Sequence, residues 1–193
     1  MPRLIVMAAC AFALAALAGS ASATVFSYGA ALDGPSESPA NLSPGTGTAT
    51  VDYDDAAHTL HVHVDFSGLL GLTTASHIHA ATAAPGTGTA GVATTTPYFA
   101  GFPIGVTSGT YDNTLDMTLA SSWNPSYVTA NGGTTAGAEA ALAVSMATDK
   151  AYLNIHSTVF GGGEIRGFLV PTPEPVSLTL LAMGALALLR RLR

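Results

Sequence analysis

Apolar and polar residues alternate with a period of two in several separate runs of the chain, and the clearest two face each other. Residues 47–53 place Ala49, Val51 and Tyr53 on one side and Thr48, Thr50 and Asp52 on the other. After the turn residues Asp54-Asp55-Ala56-Ala57, residues 59–66 set Leu60, Val62, Val64 and Phe66 against Thr59, His61, His63 and Asp65, which predicts a β-hairpin with one buried face. Further on, Leu153 and Ile155 alternate with Tyr152, Asn154 and His156, and Ile165 and Leu169 alternate with Glu164, Arg166 and Phe168. Two half-buried strands joined across Gly161-Gly162-Gly163 are expected there. Shorter signals predict strands at 25–28 and around the segment 75–80, and a strand or a hairpin about Asp112-Asn113 within 106–119, with Leu115, Met117 and Leu119 turned inward.

Between these runs the composition changes to loop. Gly34-Pro35-Ser36-Glu37-Ser38-Pro39 and the Gly-, Thr- and Ala-rich residues 82–91 carry turn formers, and Pro97 and Pro103 bar a central strand from 92–104. Residues 136–147 are the one helical pattern, with Ala138, Leu142 and Met146 stacked at i, i+4 and Thr135 as the expected cap. Many short strands and a single short helix predict an all-β domain, an antiparallel Greek-key sandwich or barrel.

Both ends of the 193-residue chain read differently. Arg3 precedes an apolar run over 4–17, and Ala21-Ser22-Ala23 has the small-x-small form of a signal-peptidase site, so residues 1–23 are read as a signal helix cleaved after Ala23. Cys10 lies inside that segment, so the mature chain has no cysteine and no disulfide, although it is exported. At the other end Pro173-Glu174-Pro175 is followed by fourteen apolar or small residues, 176–189, and then Arg190-Arg191-Leu192-Arg193. A helix of that length spans roughly 21 Å, short of a ~30 Å hydrocarbon core, which makes it a marginal, transient anchor with its basic end in the cytoplasm. The boundaries that follow are 1–23 for the signal, 24–170 for one β domain and 171–193 for the tail.

Removing the two ends also changes the charge. Of the six basic residues only Lys150 and Arg166 lie between 24 and 172, against eleven acidic ones, so this part carries a net charge of −9. Such a surface repels phosphate backbones and excludes nucleic acid as a partner.

Candidate chemistry rests mainly on histidine. His77 and His79, two apart on a strand, project from one face, and His156 on a later strand could join them, in a copper or zinc site or in a hydrogen-bonded polar network. His61 and His63 share that spacing on the polar face of the hairpin and are expected to point to solvent, while His58 falls in the turn. Glu164 and Arg166 share a strand face and are read as an ion pair, with a small anion guided by Arg166 as the other reading. Without a Gly-x-Ser-x-Gly, a cysteine, a phosphate loop or a His-Glu-x-x-His, hydrolase and nucleotide-dependent activities have no residue to rest on.

Three resemblances attach to these residues. His77-Ile78-His79, then Tyr152-Leu153-Asn154-Ile155-His156-Ser157 and Gly163-Glu164-Ile165-Arg166-Gly167, resemble the CHRD domain over about residues 26–169. This implies an exported β domain with a binding or structural role. Pro173-Glu174-Pro175 with its apolar helix and basic end resembles the PEP-CTERM sorting signal of Gram-negative bacteria. That likeness implies signal peptidase and an exosortase as processing partners, an inner-membrane-anchored intermediate, and delivery to the cell surface or an extracellular matrix polymer. A fainter similarity, a His-x-His strand, a later strand histidine and a Gly-x-x-Arg, links the chain to copper-zinc superoxide dismutase. It implies copper-ligand positions for His77, His79 and His156, an anion-guiding position for Arg166, and, if the protein is an enzyme, a copper-dependent oxidoreductase.

Overall fold

A computed structural model describes residues 24–172. Eight antiparallel strands form one curled, half-barrel sheet: β1 (Val25–Asp33), β2 (Thr46–Asp54), β3 (Thr59–Ser67), β4 (Thr73–His79), β5 (Gly109–Asp116), β6 (Tyr152–Ser157), β7 (Ile165–Phe168) and β8 (Val170–Pro171). The order across the sheet is β4-β6-β7-β1-β2-β3-β5, with β8 beside the start of β1. Two helices follow β5, the short α1 (Pro125–Ala130) and the longer α2 (Thr135–Ala147). The signal helix, the apolar C-terminal helix, and the processing residues Ala23, Pro173, Glu174 and Pro175 lie outside the described residues. Among the described residues no helix is long and apolar enough to cross a membrane.

The hairpin of β2 and β3 forms with the expected register, Tyr53 opposite Leu60 and Val51 opposite Val62. Asp54 accepts hydrogen bonds from the N–H groups of Ala56 and Ala57, and His58 takes the left-handed conformation (φ 53°) that closes the turn. Leu60, Val62 and Val64 are fully buried, and opposite them the sheet curls to bring Ile78, Leu153, Ile155 and Ile165 into the same core. Phe99 and Phe102 pack on Tyr111, so the segment between β4 and β5 plugs the open side of the half-barrel. Leu142 and Met146 of α2 add to that core. The buried Glu139 on α2 accepts hydrogen bonds from the Tyr53 hydroxyl (2.9 Å) and from His58 Nδ1 (3.0 Å), pinning the helix to the hairpin end.

Four local expectations need correction. Within 106–119 the strand alternative holds, since β5 runs unbroken beside β3 as the edge of the sheet. Leu119, which follows the end of β5, is half exposed. Helix α1 carries too few apolar residues to show a helical period; Asn124 caps it by accepting from Ser126 N, and Pro125 starts it. The cap of α2 is Thr134, whose hydroxyl accepts from Gly137 N, one residue before Thr135. Lastly, β6 is buried on both faces rather than one: Tyr152 and Asn154 are as inaccessible as Leu153 and Ile155. This last difference creates the site described below.

Gly167 lets β7 lie against β1, since a Cβ there would overlap the carbonyl oxygen of Ala31, whereas Gly161 has open space around it. Gly167→Ala is therefore expected to cost about 1–3 kcal/mol in urea unfolding, the usual range for an overpacked core. Gly161→Ala should unfold with the wild type; equal midpoints for both variants would contradict this packing.

Candidate metal centre

Strand register places the site. His77 faces Asn154 across β4 and β6, and Asn154 faces Arg166 across β6 and β7. One row further on, His79 faces Tyr152, which faces Phe168, and on the other side Ala75 faces His156. Cross-strand partners point to the same face, so the three histidines, Asn154, Tyr152 and Arg166 all leave the sheet on the side away from Ile78, Leu153 and Ile155. Loops from residues 34–41, 82–104 and 160–163 cover that side. Their cover is why β6 has no solvent face.

The imidazole rings gather at centroid separations of 4.7 Å (His77–His79), 4.9 Å (His77–His156) and 6.4 Å (His79–His156). One ring nitrogen from each lies within 4.8 Å of the other two. Each Nδ1 is bonded to a backbone carbonyl of the loop cover: His77 to Pro97 O (3.0 Å), His79 to Ala90 O (2.8 Å) and His156 to Gly161 O (2.9 Å). A carbonyl oxygen only accepts, so each Nδ1 carries the hydrogen, and in the neutral ring Nε2 is left as a bare lone pair. The Nε2 atoms of His77 and His156 face each other at 3.1 Å, and the Nε2 of His79 is buried without any partner. Two lone pairs at that distance repel unless a cation lies between or beside them.

That cation is not readily a proton. Burial holds the His77 pKa down to about 3, helped by the like charge of His79 and His156 and opposed by the Pro97 bond. Burial also lowers His156 and His79, with His156 and the Arg166 guanidinium acting further on His79. At neutral pH the group is therefore three neutral donors. Ligands about 2.0–2.1 Å from a tetrahedral ion are separated by about 3.3 Å, so a small movement of His79 would complete the set. The carbonyl bonds supply the orienting contacts that metal-binding imidazoles characteristically have.

Glu164 and Arg166, expected as an ion pair, do not pair with each other. Glu164 is fully buried, and its carboxylate accepts from Ser43 Oγ (2.6 Å) and from the N–H groups of Leu70 and Gly71 (3.2 Å), which ties two loops to the start of β7. Burial alone would raise its pKa, but the Ser157 and Ser43 hydroxyls and those two N–H groups outweigh it and keep the acid ionised. Arg166 instead donates to Ser36 O and Gly88 O (3.0 Å), lies 3.9 Å from Glu37 Oε2 and sits 4.8 Å over the Tyr152 ring. With its side chain almost wholly buried, it has no open face to guide an anion.

Glu37 and Tyr152 are site residues that pattern analysis missed. Tyr152 stacks on His79 at 4.6 Å with the rings 8° from parallel. Glu37 comes from a loop and leaves one carboxylate oxygen buried and unpartnered; burial pushes its pKa up to about 7 against the pull of Arg166. Its only sequence signal was an acid inside a Gly/Pro loop. His61 and His63 do lie on the outer face of the hairpin, paired with Asp112 (2.8 and 3.1 Å). An open concavity of about 740 Å³, lined by residues such as Val92, Tyr127, Ala141 and Val144, has no histidine or carboxylate in its lining.

The CHRD-domain family model matches residues 28–169, and the chain belongs to that family. No curated protein and no solved structure matches it.

The titrations predict the pH response of the protein held in a chelator. Unfolded His77 titrates near 6.5 and folded His77 near 3, so the unfolded chain binds more protons within that window. Stability is then full above pH 6.5 and falls as the pH drops toward 3. Glu37 acts with the opposite sign, because the folded form holds its proton up to about pH 7 rather than 4.5, and stability falls as the pH rises through that interval. His77→Gln should flatten the acid side of a plot of melting temperature against pH, and Glu37→Gln should remove the decline toward neutrality. Superimposable profiles for all three proteins would contradict the assignment.

Proposed function

We propose that this CHRD domain is an exported, non-enzymatic binding domain that holds one transition-metal ion, copper or zinc, on His77, His79 and His156. The observation that carries this reading is the set of three Nε2 lone pairs, each left bare because its ring donates Nδ1–H to a backbone carbonyl, with one ring nitrogen of each histidine within 4.8 Å of the others. A hydrogen-bonded polar network, the bland alternative for a His-x-His pair, needs donors between its members. Here the inward-facing Nε2 atoms of the three rings are all acceptors, and the amide of Asn154 is the polar group beside His79. Bound there, the ion would act as a Lewis acid or a one-electron centre; the protein's own part is to orient the rings and limit water.

The engaged state of Arg166 argues against superoxide dismutation as the purpose of the site, since its donors go to Ser36 and Gly88 and its charge to Glu37. The acidic surface and the resemblance of residues 173–193 to an exosortase signal support delivery to the cell surface or matrix. The ends of the domain suit a tethered molecule. Thr172 N–H donates to Ser27 O (2.8 Å), and Tyr28 pairs with Pro171, so the two ends of the described residues lie side by side. Arg166 pairs with Asp33 at the far end of β1, about 16 Å along the strand.

Metal analysis of the purified protein after dialysis against copper or zinc should find about one equivalent, and His156→Ala should weaken binding at least ~100-fold while leaving the fold intact. Less than a tenth of an equivalent in the wild type would overturn the metal reading. Export is tested separately by mass spectrometry of surface-released protein, which should lack residues 1–23 and 176–193. A full-length C-terminal mass would refute sorting without touching the metal site.

A further inference from the structure

We infer that the three-imidazole centre selects a monovalent over a divalent cation, Cu(I) over Zn(II), and that the buried Arg166–Glu37 pair sets this preference. This rests on the metal reading above and goes on to name the ion.

The ligand set brings no charge of its own to offset that of a dication. The converging donor set is three neutral imidazoles, with no carboxylate among the converging atoms. An ion bound there keeps its full charge, and the cost of moving that charge out of water grows with its square, so a dication loses about four times as much as a monocation. His77 is buried while His79 and His156 are partly exposed, so hydration relieves this cost only in part. Zinc also seeks a fourth ligand, whereas three nitrogen donors can satisfy the closed d¹⁰ shell of Cu(I).

Arg166 adds to the discrimination. Its register partner Asn154 is also the partner of His77, so two strand spacings, about 10 Å, separate the guanidinium strand from the histidine strand. The guanidinium lies over Tyr152, whose ring stacks on His79, so an aromatic ring rather than water fills the intervening space. At that distance and an effective dielectric constant near 20, a fixed positive charge opposes each unit of ion charge by roughly tenfold in affinity. The second charge of Zn(II) therefore carries a penalty that Cu(I) escapes. Glu37, whose carboxylate lies 3.9 Å from Arg166 Nε and is not among the converging donors, offsets part of that field when ionised. The two side chains thus form an adjustable charge near a site whose ligands cannot themselves compensate the ion.

The two residues make opposite predictions. At pH 8, where Glu37 is ionised, the affinities of the full chain for Cu(I) and Zn(II) are measured by competition with a chromophoric chelator for each ion, the Cu(I) series anaerobically. Wild type should bind Cu(I) more tightly than Zn(II). Arg166→Gln should lower the Cu(I)-to-Zn(II) affinity ratio about tenfold, and Glu37→Gln, which is isosteric and leaves the loop contacts in place, should raise it. Because Arg166 also anchors Ser36 and Gly88, the Glu37 variant decides the question if the arginine variant does not fold. Tighter Zn(II) than Cu(I) binding in the wild type, or a ratio unchanged within twofold in Glu37→Gln, would overturn the selectivity while leaving a metal site. Failure of both ions to bind would remove the site and the selectivity together.

Discussion

Three backbone carbonyls decide what the histidines of this domain can do. Pro97, Ala90 and Gly161 each take the Nδ1 hydrogen of one imidazole, and with that choice made, every remaining ring nitrogen is an acceptor facing other acceptors. The carbonyls belong to loops, and the loops stay in place because the acidic and basic groups beneath them are bonded to backbone. Glu164 gathers Ser43, Leu70 and Gly71, and Arg166 gathers Ser36 and Gly88. The cover over β6 and the chemistry of the site are therefore one structural fact. Loosening the loops would free the tautomers, and the lone pairs would no longer be committed inward.

The same arrangement explains why a weakly charged domain buries so many of its titratable groups at one end. Burial of an ionisable side chain is costly unless it is neutral or fully bonded. The histidines stay neutral, Glu164 is surrounded by donors, and Arg166 has two carbonyls, a carboxylate and an aromatic face. Glu37 and the His79 ring are each left with one buried atom that has no partner. The Glu37 carboxylate lies 3.9 Å from Arg166 Nε, so a change of its charge alters the field around the histidines without touching them.

Much of the fold was legible as period-two alternation, because β2, β3 and β5 bury one face only. Ala49, Val51, Tyr53, Leu60, Val62 and Val64 were assigned to the core from pattern and are found there. Alternation failed at β6 because loops covered its second face, and it failed at Leu119 because the strand had already ended. Helix α1 was illegible for a different reason: six residues set by an Asn cap and a proline carry too little periodicity to register. At the site, His77, His79 and His156 were legible as residue types at strand spacing. Glu164 and Arg166 were placed correctly on neighbouring positions but assigned to each other, since spacing cannot show that stronger partners arrive from loops more than seventy residues away.

Period, composition and motif were enough by themselves to establish an all-β CHRD domain, its buried hairpin face and its three strand histidines, because those properties depend on neighbours along the chain and on the geometry of a single strand. Tertiary structure alone decided which ring nitrogen bears the proton, that Arg166 answers to Glu37 and Tyr152, and that the histidines converge. Those outcomes depend on backbone carbonyls and charges brought together from distant loops, and backbone groups leave no mark in the order of side chains.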